Sequence, residues 1–226
     1  MERIGDDQLI EETIAFVKET LQGAEGGHDW FHIQRVFRNT IRIARDENVN
    51  ILVASLGALL HDIADAKFHD GDETVGPKMA SAFLASLAVE QDVIDHVVKI
   101  IEHISFKNSL EDGPTFTSPE LLVVQDADRL DAIGAIGIAR TFNYGGFKNR
   151  ELYNPAIPPN LNMSKEAYKK STAPTINHFY EKLLLLKDKM NTKTGKALAE
   201  ERHAFMLSFL EQFYAEWNPI GIKEEA

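Results

Sequence analysis

The stretch that decides the fold is residues 51–65, ILVASLGALLHDIAD. From Ile51 to Ala64 it is apolar on every side, the pattern of a helix buried all round at the centre of a larger assembly. Near its end stand His61 and Asp62, two polar groups that are costly in such a setting unless each is satisfied. A central helix of this kind needs other helices packed around it, and the flanking sequence supplies them. Upstream, Ile33, Val36, Phe37, Thr40, Ile41 and Ala44 recur at helical spacing, with Asp29 placed to cap that helix. Further upstream, Ile10, Ile14, Val17 and Leu21 form another amphipathic stripe.

Downstream, the spacing predicts helices over 75–89, opened by Gly76-Pro77, and over 93–104. Ser118-Pro119-Glu120 combines a capping hydroxyl, a first-turn proline and an early acid, and is expected to open a helix reaching about Phe142. Two last helices are expected over 175–190 and 194–217, the second striped by Met206, Phe209, Leu210, Phe213, Tyr214 and Trp217. Residues 105–117 and 143–164 carry loop signals, and Tyr144-Gly145-Gly146-Phe147 reads as a surface turn. No strand, repeat or linker interrupts this series. The fold class is all-α, with no significant sheet: one domain over 1–226, a core at about 26–142 and a C-terminal helical extension at about 165–217.

Composition narrows the function. A net charge of −11 argues against nucleic acid as partner, because that binding needs clustered Lys and Arg to replace counterions. It leaves room for a small anionic substrate, since a bound divalent cation outweighs the global charge locally. The absence of cysteine removes disulfides, thiolate zinc sites and thiol nucleophiles together. No stretch has the length of a membrane span, and the acidic N-terminus lacks a signal pattern, so a cytoplasmic setting without membrane contact is expected. The aromatic C-terminal helix leaves a homo-oligomer open.

Three segments carry chemistry: His28-Asp29-Trp30-Phe31-His32 with Arg35, then His61-Asp62-Ile63-Ala64-Asp65, then Asp126-Ala127-Asp128-Arg129-Leu130-Asp131. Imidazoles and carboxylates without sulfur suit Mn, Mg, Fe, Co, Ni or Zn with positions left open. A buried His61–Asp62 pair that merely orders the core explains one segment, whereas a shared metal explains all three. His32 flanks the apolar stripe of its helix and suits a ligand; His28, beside two glycines, reads as a loop residue. Asp126 and Asp128 are about 200° apart on a helix, so only one can face the site. Asp128 shares a face with Leu121, Val124, Asp131 and Ala135 and is favoured, while Asp126 is expected to be solvated or bonded to another helix. Among cations for an anionic substrate, Arg35 follows His32 by one turn, and Lys67 and Lys107 follow in rank. His103, on a face with Ile100 and Lys99, reads as a substrate contact or a core residue.

The order His…His-Asp…Asp, embedded in GHDWFHIQRV, ALLHDIAD, QDADRLDAIGAIGIARTF and HFYEKLLLLKDKMNTKTGKALAEERH, resembles the HD-domain superfamily of metal-dependent phosphohydrolases. Within it the chain is similar to the YedJ/YpgQ-type bacterial branch over most of its length. The resemblance implies a helical HD-domain bundle with one divalent metal, manganese first, held by His32, His61, Asp62 and Asp128. It implies hydrolysis of a small phosphorylated substrate, with cleavage of a nucleoside triphosphate to monophosphate and pyrophosphate suggested for this branch. Related nucleotidases carry a catalytic Glu four residues after the motif His; here that position is Asp65, one methylene shorter. The resemblance points to Asp65 as the residue that orients or deprotonates water. Arg35, Lys67 and His103 are placed toward the substrate by their own positions, His103 with a core role as its alternative. Other motifs fail on inspection: Thr194-Gly195-Lys196 lacks the first glycine and the last hydroxyl of a phosphate loop, and 70–73 lacks calcium-loop spacing.

Overall fold

The computed structural model of the chain describes residues 5–23, 29–64, 72–104, 116–163 and 171–219. Among these residues the regular structure is entirely helical. The chain divides into two compact units, 1–128 and 129–226.

In the first unit, α1 (Asp6–Thr20), α2 (Trp30–Ala44), α3 (Ile51–Leu60), α4 (Val75–Ser86) and α5 (Gln91–His103) precede α6 (Pro119–Asp131), within which the boundary falls. The apolar run of α3 is buried continuously from Val53 to Leu60, and the helix packs against α1, α2 and α5. Its contact with α5 is close: a Cβ on Gly57 would stand 3.0 Å from Ile100 Cγ2, so a bulkier residue there would force the helices apart. Asn50 caps α3 by accepting from the Val53 amide at 3.1 Å. The Asn50 amide in turn donates to Glu120 Oε1 at 2.7 Å, which ties the start of α3 to the start of α6. The expected cap of α2 is present, with Asp29 accepting from the His32 amide at 2.9 Å.

Two helix ends differ from expectation. α3 stops at Leu60, so His61 and Asp62 lie in the turn that follows rather than within the helix. His61 is the capping residue, and its ring Nδ1–H donates to the Ala58 carbonyl at 2.9 Å, occupying one of the carbonyls that a helix end leaves open. α6 stops at Asp131 instead of continuing to Phe142. The chain turns through Ala132 and Ile133, and Gly134 adopts φ +75°, a backbone region that glycine enters freely and other residues only at a cost.

The second unit holds α7 (Gly134–Phe147), α8 (Asn177–Glu181), a 3-10 helix (Leu183–Lys189) and α9 (Lys193–Trp217). α9 packs against α7 and the 3-10 helix. Residues 144–147, expected as a surface turn, form the last turn of α7. Gly145 is required there, because a Cβ would meet Thr175 Oγ1 at 2.3 Å. The single helix expected over 175–190 is two shorter ones, broken where Lys182 leaves helical backbone at φ −145°. Buried Leu183 and Leu186 stand three residues apart, the repeat of a 3-10 helix, and so align on one face of it. Rings line the interior: Phe179, fully buried, lies 5.8 Å from Phe209 and 6.1 Å from Phe142 between centroids.

Candidate metal centre

Three elements of the first unit deliver side chains to one point. His32 comes from the first turn of α2, where the Asp29 cap sets the start of the helix and the apolar stripe faces inward. His61 comes from the turn that ends α3, and Asp128 from the last full turn of α6. One ligand atom from each of the three lies within 4.8 Å of the others, the only such group among the described residues.

The distances suit a shared cation better than direct hydrogen bonds. Asp128 Oδ1 stands 3.5 Å from His32 Nε2 and 3.9 Å from His61 Nε2. Hydrogen bonds between such atoms close to about 2.7–3.2 Å, so neither contact is one. Donors each about 2.0–2.2 Å from a shared cation are roughly 3–3.5 Å apart, close to what is seen. The tautomer fits as well. His61 commits its Nδ1–H to the Ala58 carbonyl, which in the neutral ring leaves Nε2 with a lone pair facing Asp128. The two imidazoles meet edge to face with centroids 5.4 Å apart. Solvent reaches one side only: the histidine side chains are 4% and 5% exposed, whereas Asp128 is 40% exposed. Nitrogen and oxygen donors with one wet side suit a divalent cation that keeps open positions.

The other expected site residues are placed as follows. Asp62 is half-buried in the turn beside His61 and is not one of the three converging groups. Arg35 is half-buried on α2 one turn after His32. His103 is the last residue of α5, with Nδ1 at 2.8 Å from the Lys99 carbonyl and its ring 5.5 Å from Phe116. Asp65 and Lys67, like His28 and Lys107, lie outside the described residues. Asp126 is fully buried, which removes the solvated alternative for it. One partner in the site had no side-chain signal: the Ala58 carbonyl that orients His61 belongs to an alanine inside an apolar run.

Comparison with known proteins follows the same segments. Residues 30–133 match the model of the HD domain. YpgQ of Bacillus subtilis, described as an uncharacterized protein, is 38% identical over 204 residues, spanning 89% of this chain and 90% of that one. A crystal structure described as a HD-superfamily hydrolase from Bacillus thuringiensis superposes with a TM-score of 0.76 at 45% identity, over 95% of this chain and 99% of that one. The crystal structure of Bacillus subtilis YpgQ in complex with ADP superposes with a TM-score of 0.74 over 97% of this chain and 99% of that one, at 34% identity in the superposition.

Proposed function

This chain belongs to the HD-domain family, and from that premise we propose that it is a divalent-metal-dependent phosphohydrolase acting on a small phosphorylated substrate. Its preferred substrate is a ribo- or deoxyribonucleoside triphosphate, cleaved to monophosphate and pyrophosphate. The observation that carries the reading is the convergence of His32, His61 and Asp128 at distances too long for hydrogen bonds and suited to one cation. Two further findings support it: a similar protein described as a HD-superfamily hydrolase, and the ADP complex of YpgQ, which speaks for a nucleotide.

A bound divalent cation supplies Lewis acidity toward phosphoryl oxygens and makes water easier to deprotonate near neutral pH. His32, His61 and Asp128 hold that cation, manganese by preference, and Asp62 completes the set beside His61. Asp65, four residues after His61, orients the attacking water and takes its proton. Arg35 offsets the growing charge on the phosphoryl oxygens, helped by Lys67, and His103 contacts the substrate. In the preferred reaction water attacks the α-phosphorus, the bond to the bridging oxygen breaks, and pyrophosphate leaves.

The test is mass-spectrometric product analysis after incubating metal-stripped, manganese-reloaded protein with a panel of nucleotides, beside a His61→Ala control. Monophosphate plus pyrophosphate, absent in the control, is the expected result. Nucleoside plus phosphate would make the protein a nucleotidase. Binding without turnover of any nucleotide or other phosphate ester would make it a metal-bound sensor. Alanine at Asp65 that leaves turnover intact with metal bound would remove the role given to that residue.

A further inference from the structure

The end of α6 lies three residues beyond Asp128 and is held by one arginine from α7 and one from α9. A helix leaves its last carbonyls without amide partners. Here the Arg129 carbonyl accepts from the Ala132 amide at 3.1 Å, and the Leu130 carbonyl accepts both from the Ile133 amide at 3.3 Å and from the guanidinium of Arg202. Arg140 Nη1 reaches the Asp131 carbonyl at 3.3 Å and the Asp131 carboxylate Oδ2 at 2.5 Å, in an ion pair whose acid is 2% exposed. Arg129 itself donates to the Lys189 carbonyl at 2.5 Å. Cations at this pole also oppose the partial negative charge of the helix end.

The turn after the clamp admits no other sequence cheaply. A Cβ on Gly134 would stand 2.9 Å from Arg202 Cγ, and one on Gly137 would stand 2.2 Å from the Ala132 carbonyl oxygen. Ile133, 1% exposed, anchors the turn from within. One short segment, Asp128 to Arg140, therefore contains a candidate ligand, the stop that ends its helix, and one of the arginines that hold the stop.

We propose that Arg140 and Arg202 are positioning residues for Asp128. By gripping the carbonyls of Leu130 and Asp131 they fix the rotation and axial height of the turn that carries the Asp128 carboxylate. A carboxylate on a frayed last turn samples many positions, and a ligand free to wander holds a metal weakly. Neither arginine touches the cation; each acts through the backbone of α6. This inference rests on the metal reading of the site.

The experiment measures manganese affinity by titration calorimetry, and the visible spectrum of the cobalt-loaded protein, below the melting temperature of every variant. Arg140→Gln and Arg202→Gln are expected to weaken manganese binding by about tenfold each and to alter the cobalt spectrum. Arg140→Lys, which can still reach both Asp131 oxygens, recovers part of the loss. Gly145→Ala, which crowds Thr175 away from α6, serves as the destabilised control and keeps wild-type affinity. Should Arg140→Gln fail to fold, Arg202→Gln with its Asp131 pair intact gives the answer. Wild-type affinity and spectrum in the folded arginine variants would overturn the positioning role while leaving the metal site standing. A wild-type protein that binds neither manganese nor cobalt would overturn both.

Discussion

Two of the ring clusters in this molecule are built to opposite ends. In the first unit the imidazoles of His32 and His61 meet edge to face beside a carboxylate, each with a nitrogen turned toward Asp128. In the second unit Phe142, Phe179 and Phe209 pack ring on ring, and Tyr153 meets Phe213, Tyr214 and Trp217 at centroid distances of 5.1–6.0 Å. The second cluster is a stability device, since each ring removes apolar area from water and gains from its neighbours' geometry. The first brings polar nitrogens and a carboxylate together in a largely buried place, an arrangement suited to a cation rather than to apolar packing. His178 marks the contrast. It lies in the second unit, and burial, with Lys182 and Arg150 nearby, holds its pKa at about 3 against an ordinary 6.5, so it stays neutral.

The sharpest way to break the comparison is to remove one ring from each cluster. His61→Ala is expected to abolish metal binding and to cut turnover on the order of a thousandfold or more, because several kcal/mol of charge stabilisation go with the cation. Without metal it should melt only modestly below the metal-free wild type, the loss coming from the Ala58 carbonyl left without its partner. Phe179→Ala should do the reverse, with about 3–5 kcal/mol of stability lost to transfer and cavity terms. Manganese affinity of the folded fraction should be unchanged; equal loss of affinity in both variants would erase the distinction.

Metal removal comes next in size. At a concentration 100-fold above its dissociation constant a cation stabilises the native state by about 2.7 kcal/mol. For a chain of this length that amounts to roughly 5–10 °C of melting temperature, lost on chelation and regained with manganese. Differential scanning calorimetry of His61→Ala should show no such shift.

The smallest effect is in acid. The native state leaves His178 unprotonated down to about pH 3, whereas the unfolded chain protonates it near pH 6.5. Between those values the unfolded state binds more protons, so stability is full above pH 6.5 and falls as the pH drops toward 3. The contribution of His178 is about 2 kcal/mol lost by pH 5. In denaturant titrations His178→Asn should flatten stability over pH 5–7, and an unchanged slope would show that the imidazole is free to charge in the native state.

What the sequence disclosed, and what it hid, follows from the range of the interactions. α2 was legible because its signals are local: Asp29 caps three residues away, and the apolar stripe recurs within single turns. The burial of α3 was legible for the same reason, but its end was not. The stop depends on the His61 ring choosing the Ala58 carbonyl, and a histidine after an apolar run can equally continue the helix. The break between α6 and α7 was read as continuous helix because it depends on Arg202, 72 residues from the carbonyl it holds. In the site, the choice of Asp128 over Asp126 needed only the period of a helix, and the fold turns one toward the histidines and buries the other. Asp62 belongs to the ligand set on the resemblance of the motif, and the structure carries it on the turn after α3 in place of the helix expected there. The segment carrying Asp65 and Lys67 lies outside the described residues, and their roles rest on the resemblance of the motif.

The bond from the Asn50 amide to Glu120 spans 70 residues of chain, and it sets a clock. As the polypeptide leaves the ribosome, α2 and α3 emerge with two histidines and no carboxylate from α6 to join them. The acid that holds the start of α3 and the acid that faces the histidines arrive together, eight residues apart on one helix. The candidate site is therefore completed late, by the assembled helices rather than by the chain that is still emerging.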